Sequence, residues 1–427
     1  MMNHPGLVSA SFLTLAACAE PPAAEEPITF TAAECEIGIY QQDASRFVAI
    51  TQLTEGYRYT LSDGHMGRTS EDNSEVECGD SAVRVNGADI WPGLAITQTD
   101  TRFEALDGVM LAGRLIEPPA ANSSTPLVVY AHGSEELGWI GSARDPYQMV
   151  GRGVSVFVYD KRGTGLSEGA YNQNFPRLAD DLVAASAEAK RLAADRFGRF
   201  GLVGLSQGGW IAPLATDRTE ADFMGVGYGL VVDIREEDVA QVVKTLTEAG
   251  YGPDVLAKAK ELTDATAQIV TTGYQEGLEE MEAAREKYRD EPWYPLVRGE
   301  YTIVLLSMSI EELRENGIPA FDRLDVDWSL NPVEVLSQVT VPQLWALAGE
   351  DREAPIAVTL ERLSSLRENG QDISIYVFPD TDHGMWEYDQ APDGTRENTR
   401  VTAGFYDLMA DWAKGEVTGP YGRAEEK

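Results

Sequence analysis

Gly204-Leu205-Ser206-Gln207-Gly208 lies between the apolar run Phe200-Gly201-Leu202-Val203 and the helix-compatible run Trp210 to Ala215. A G-x-S-x-G pentapeptide in that setting demands a sharp strand-to-helix turn with the serine at its apex. The flanking glycines are needed because strand and helix approach closely there and the serine backbone is strained. Such a turn presents a serine hydroxyl at the end of a sheet, which points to nucleophilic chemistry at Ser206.

A serine hydroxyl needs a general base, and the base needs an orienting carboxylate. The chain has four histidines, His4, His65, His132 and His383, and His383 alone follows Ser206 in sequence. It sits in Asp382-His383-Gly384, directly after the strand-like Ile373 to Phe378. The acid is expected at the end of a strand between the two. Leu344-Trp345-Ala346-Leu347-Ala348 runs into Gly349-Glu350-Asp351, which makes Asp351 the candidate and Glu350 its competitor. An oxyanion needs two backbone N–H donors. Gln207, directly after the serine, is one. The other is Ser134, with Gly133 as the alternative, in the loop that follows the strand-like Leu127 to Ala131. His132 reads as a structural residue of that loop.

Together these pieces resemble the α/β-hydrolase superfamily of serine hydrolases. Within it they resemble bacterial esterases of the esterase-D type and serine aminopeptidase-like hydrolases. The matching segments are Tyr130 to Ser134, Tyr159-Asp160-Lys161-Arg162-Gly163-Thr164-Gly165-Leu166-Ser167, Gly204 to Pro213, Gly349-Glu350-Asp351 and Asp382-His383-Gly384, within about residues 100–415. The resemblance implies an α/β fold: a mainly parallel sheet with helices on both faces and a helical cap inserted over the site. It also implies the triad order Ser206, Asp351, His383, no metal or organic cofactor, and a bracing role for Asp160 and Arg162. A fold of this kind hosts many chemistries. Hydrolysis of carboxylic esters with small to medium acyl groups is the expectation. Peptidase or amidase chemistry is the alternative, and a non-catalytic binding protein is a more distant one.

The first residues resemble a lipoprotein-type export signal, residues 1–18. An apolar stretch ends in Leu15-Ala16-Ala17-Cys18, which makes Cys18 the lipidation candidate, although the preceding residues lack Lys or Arg. Residues 19–29, rich in Pro, Ala and Glu, read as a tether, and the expected location is exported and anchored, facing the periplasm or on the outer membrane. Lipidation of Cys18 leaves Cys35 and Cys78, which can pair in an oxidising compartment or remain as two thiols. The chain carries 34 basic and 70 acidic residues, a formal charge of -36. That balance argues against nucleic-acid partners and against binding anionic lipid through the protein surface. The expected partner is a small-molecule ester, with membrane contact through the anchor alone.

The expected organisation is a small β-rich unit over 30–98, hydrolase core over 99–231, helical insertion over 232–331, core again over 332–416 and a polar tail over 417–427. The β-rich unit either narrows the site or spaces the enzyme from the membrane. Trp139, Trp210 and Trp386 lie close in sequence to the catalytic loops and are candidates for the substrate pocket.

Overall fold

The computed structural model describes residue 30, residues 35–71 and residues 74–427. Cys18 and the export and tether segments lie outside the described residues. Among the described residues no helix is long and apolar enough to cross a membrane.

The N-terminal unit is built of short antiparallel strands. β1 (Gly38–Asp43), β2 (Arg46–Gln52), β3 (Tyr57–Leu61) and β4 (Met66–Arg68) form one sheet. β5 (Val76–Cys78), β6 (Ala82–Val85) and β7 (Asp89–Pro92) form a second. A disulfide joins Cys35 to Cys78. The unit has its own apolar centre, in which Val48, Ile50 and Tyr59 meet Val76, Val83 and Trp91. The opposite face of β2 presents Phe47 and Ala49 to the hydrolase core. Alternation along β2 therefore serves two cores at once. Polar contacts add to this: Gln148 Nε2 donates to Thr60 O at 2.8 Å and Arg152 Nη2 to Ser62 O at 2.7 Å.

The core sheet has nine strands. They are β8 (Thr97–Glu104), β9 (Met110–Glu117), β10 (Leu127–Ala131), β11 (Ser155–Tyr159), β12 (Phe200–Leu205), β13 (Phe223–Gly227), β14 (Gln343–Ala348), β15 (Ile373–Phe378) and, last in the chain, Glu425–Glu426. From the C-terminal strand the spatial order is Glu425–Glu426, β15, β14, β13, β12, β10, β11, β9, β8. β10 to β15 pair in parallel, while β8, β9 and the C-terminal strand are antiparallel edges. The central strands are buried along their whole length, which is why they read as apolar runs rather than as an alternation. A hairpin that turns at Asp107-Gly108 joins β8 to β9. Helices Arg144–Gly151 and Phe405–Lys414 pack on one face, and Phe175–Ala193, Gly208–Thr216 and Ala357–Glu368 on the other.

Three details go beyond the sequence pattern. The apolar run 224–231 reads as strand throughout, but β13 ends at Gly227, because Tyr228 turns the chain with φ 42° and places its ring 5.0 Å from that of His383. The polar tail over 417–427 docks on the core: Tyr421 is buried, and Glu425 and Glu426 pair with Val377 and Tyr376. The 232–331 insertion is helical as expected, with Ile234–Glu248, Pro253–Thr271 and Leu278–Tyr288 as its long helices. It has its own apolar cluster and leans on the core from the side of the Phe175–Ala193 helix, where Leu324 O accepts from Gln173 N at 2.6 Å.

Candidate active site

Ser206 follows β12 directly and precedes the Gly208–Thr216 helix, at φ 52°. That left-handed backbone strains a non-glycine residue by about 1–3 kcal/mol. A Cβ added at Gly204 would meet Gly208 O at 2.2 Å, and one at Gly208 would meet Ala131 O at 2.0 Å. Both flanking glycines are thus fixed by backbone contacts, and the strand-to-helix turn could not close with any larger residue.

The loops after β14 and β15 bring the other two residues to it. His383 Nε2 lies 3.0 Å from Ser206 Oγ, and His383 Nδ1 lies 3.0 Å from Asp351 Oδ2 and 3.2 Å from Asp351 Oδ1. Asp351 is buried and accepts backbone N–H bonds from Glu353 at 3.0 Å and Ala354 at 2.6 Å, so its carboxylate is held still. Glu350 turns away and pairs with Lys244 at 3.2 Å. Asp382 braces the histidine loop by accepting from the backbone N–H groups of His383 and Arg352 and from Arg396. Burial opposes a charge on His383. Asp351, with Glu353 and Asp382 beyond it, outweighs burial and pushes the imidazole up to about 9. Glu353 Oε2 is 3.5 Å from His383 Nε2.

The loop after β10 runs past the serine, so that a Cβ on Gly133 would sit 3.4 Å from Ser206 Cβ. Its carbonyls are held from behind. Gly133 O accepts from the buried Lys161 Nζ, and Ser134 O accepts from the Tyr171 hydroxyl. In trans peptides this turns the Ser134 and Glu135 N–H groups to the opposite side. The N–H groups of Gln207, Gly133 and Ser134 have no internal acceptor among the described residues. Burial draws the Lys161 ammonium down to about 8, against the pull of Glu135 and Glu136. Glu135 is half-buried, and against that desolvation the His132 hydrogen bond at 2.9 Å and the nearby Lys161 hold its carboxyl at about 2. His132 is buried and stacks on Trp139 at 4.6 Å, a structural place. Asp160 accepts from the N–H groups of Trp139, Ile140 and Leu166, and Arg162 forks onto Asp181 and Asp107. Both brace the loop.

A cavity of about 630 Å³ opens onto Ser206 and His383. Trp139 and Trp386 line it. Trp210 does not: it is buried against Phe175, with ring centroids 5.1 Å apart, and its Nε1 donates to Val232 O at 2.9 Å. Four positions after the serine, the helix has already turned that side chain into the core. No cavity-lining residue comes from the 232–331 insertion. Gln52, Leu53, Thr54 and Arg58 of the N-terminal unit form one wall instead. Of the two roles left open for that unit, this is the one that narrows the mouth. The insertion touches the catalytic loops from outside the cavity, through Gln241 Nε2 donating to Glu353 O at 2.7 Å and through Lys244 and Glu248 pairing with Glu350 and Arg352. Lys161, Glu135, Tyr171 and Glu353 were not singled out from sequence. Lys161 lay within a matching motif, but an amino group in the middle of a loop does not reveal which carbonyl it holds.

Residues 128–397 match the alpha/beta hydrolase family, well over half of the chain. A 67-residue stretch is 33% identical to acylamino-acid-releasing enzyme 1 of Oryza sativa subsp. japonica, covering 16% of this chain and 9% of that one. The chain thus spans only a small part of the length of that relative. Among solved structures, an esterase of Pyrococcus furiosus is similar at 14% identity and TM-score 0.41, over 68% of this chain and 84% of that one. An acylaminoacyl peptidase of Pyrococcus horikoshii is similar at 15% identity and TM-score 0.42, over 81% and 45%. By its family match and by its nine-stranded, largely parallel sheet, this chain belongs to the alpha/beta hydrolase family.

Proposed function

We propose that this chain is a serine hydrolase of carboxylic esters, with Ser206, His383 and Asp351 as its catalytic triad. The observation that carries this is the unbroken line of contacts at 3.0 Å from Ser206 Oγ through His383 to Asp351, at the mouth of an open cavity. With Nδ1–H donated to Asp351, His383 Nε2 takes the hydroxyl proton as Ser206 attacks the ester carbonyl. The tetrahedral oxyanion is met by the N–H groups of Gln207 and Ser134. The imidazolium returns its proton to the departing alcohol, leaving an acyl-enzyme. Water activated by the same imidazole then releases the acid. Ser206→Ala and His383→Ala should each lower kcat at least a thousandfold on a short-chain 4-nitrophenyl ester while circular dichroism stays unchanged. Turnover near wild type in either folded variant removes the triad. A second reading, cleavage of a peptide or amide bond, is favoured by the stretch similar to acylamino-acid-releasing enzyme 1. Parallel assays on an acetylated amino-acid anilide and on the corresponding ester separate the two.

A further inference from the structure

The cavity at Ser206 carries two arginines that the hydrolytic step does not use. Arg58 comes from β3 and Arg144 from the start of the Arg144–Gly151 helix. Arg58 Nη2 donates to Ser142 O at 2.6 Å and to Thr51 Oγ1 at 3.3 Å. Its Nε is buried without a partner among the described residues, and its Nη1 makes no hydrogen bond among them either. Arg144 donates through Nε to the Tyr406 hydroxyl at 3.1 Å and through Nη2 to Gly384 O at 3.3 Å, one residue from His383. Its guanidinium lies 4.6 Å over the Trp386 ring, and its Nη1 likewise has no partner among the described residues.

Against burial, Asp145 favours the charge on both arginines, but more on Arg144, whose guanidinium it holds up. Asp145 stands 4.0 Å from Arg144 Nε, whereas the hydrogen bonds of Arg58 among the described residues go only to neutral acceptors. Of the other acids on the cavity wall, Glu135 is occupied by His132 and Trp139, and Glu353 stands against His383. Burial and the neighbouring Arg144 charge bring the Arg58 guanidinium down to about 10. A buried donor without an acceptor at Arg58 Nε, on one of two like charges facing one cavity, is a standing electrostatic cost that a bound anion relieves. The planar fork of a guanidinium matches the two oxygens of a carboxylate. Arg58 is supplied by a unit that lies outside the family match over 128–397, whereas Arg144 lies within it.

We propose that Arg58 and Arg144 form a carboxylate-binding subsite, and that the substrates of this enzyme carry a free carboxylate close to the bond that is cleaved. This rests on the hydrolytic reading above. The test uses two matched pairs of esters. Mono-4-nitrophenyl adipate against 4-nitrophenyl hexanoate places the carboxylate in the acyl part. 4-Acetoxybenzoate against its methyl ester places it in the leaving group. Within each protein the ratio of kcat/KM, charged over neutral, is read, so that a general loss of activity cancels. Wild type should favour the charged member of at least one pair by tenfold or more. Arg58→Gln and Arg144→Gln should reduce that ratio by tenfold or more, and Arg58→Lys should restore part of it. A ratio near one in both pairs, or a preference untouched by Arg58→Gln, overturns the subsite. Calorimetric titration of Ser206→Ala with adipate reads the subsite without turnover. Adipate binding that is lost with Arg58→Gln supports it even if no ester is cleaved, in which case the hydrolytic reading is what fails. Absence of adipate binding together with turnover of neutral esters overturns the subsite alone.

Discussion

Replacing Glu353 by glutamine should make the enzyme faster at neutral pH. The Glu353 carboxylate lies 3.5 Å from His383 Nε2 and favours the imidazolium, whereas catalysis requires the neutral imidazole. Two unit charges at that separation interact by about 1 kcal/mol in water and about 5 kcal/mol at an effective dielectric constant of about 20. The Glu353 side chain is 72% exposed, so the lower figure applies. About 1 kcal/mol is a little under one pKa unit. The sign follows from the direction in which His383 is displaced. Its imidazole is held up at about 9, so most of the enzyme is inactive imidazolium at pH 7, and any downward shift enlarges the active fraction nearly in proportion. The expected change is about a five- to eightfold gain in kcat/KM at pH 7, with convergence on wild type above pH 10. The assay is kcat/KM for a neutral ester from pH 6 to 10, which keeps the arginine wall out of the comparison. High salt should shrink the difference, because the added charge is at the surface. A midpoint that stays within about 0.2 units of wild type, or moves upward, would refute the assignment of Glu353 as a modulator of the base.

Other outcomes follow from the same structure. Lys161→Met removes the donor that holds Gly133 O, and kcat should fall about ten- to a hundredfold with little change in KM, less than the loss of a whole oxyanion donor. An equal rise in KM with kcat unchanged would assign Lys161 to substrate binding instead. Gly208→Ala places a Cβ 2.0 Å from Ala131 O and should lower the melting temperature sharply or prevent folding, as read by thermal scanning. With a formal charge of -36, the fold should gain stability as salt rises from low to marine levels. A melting temperature that falls steadily over that range would contradict the picture of surface self-repulsion.

Much of the core was legible because its strands are buried on both faces and its turns are chemically restricted. The apolar runs from Leu127 and Leu344 became β10 and β14, and the glycines around Ser206 could belong only to a tight turn. The chain order of serine, acid and histidine placed Asp351 and His383, and Glu350 was left unresolved until its side chain was seen to pair with Lys244. Proximity in sequence misled for Trp210, because helix rotation rather than chain distance decides which face a residue takes. The wall of the cavity was the least legible part. Helical periodicity located the 232–331 insertion but did not show which way it leaned. The arrival of Arg58 at Ser142 spans two units, and no local pattern records such a contact.

The central claim, that His383 activates Ser206, is tested most directly by the rate at which a fluorophosphonate labels the chain, with peptide mapping of the adduct. We expect one phosphonyl group on Ser206, formed faster as pH rises toward 9, and labelling slowed at least a hundredfold in folded His383→Ala. Labelling at another residue, or an unchanged rate at Ser206 without the histidine, would contradict it.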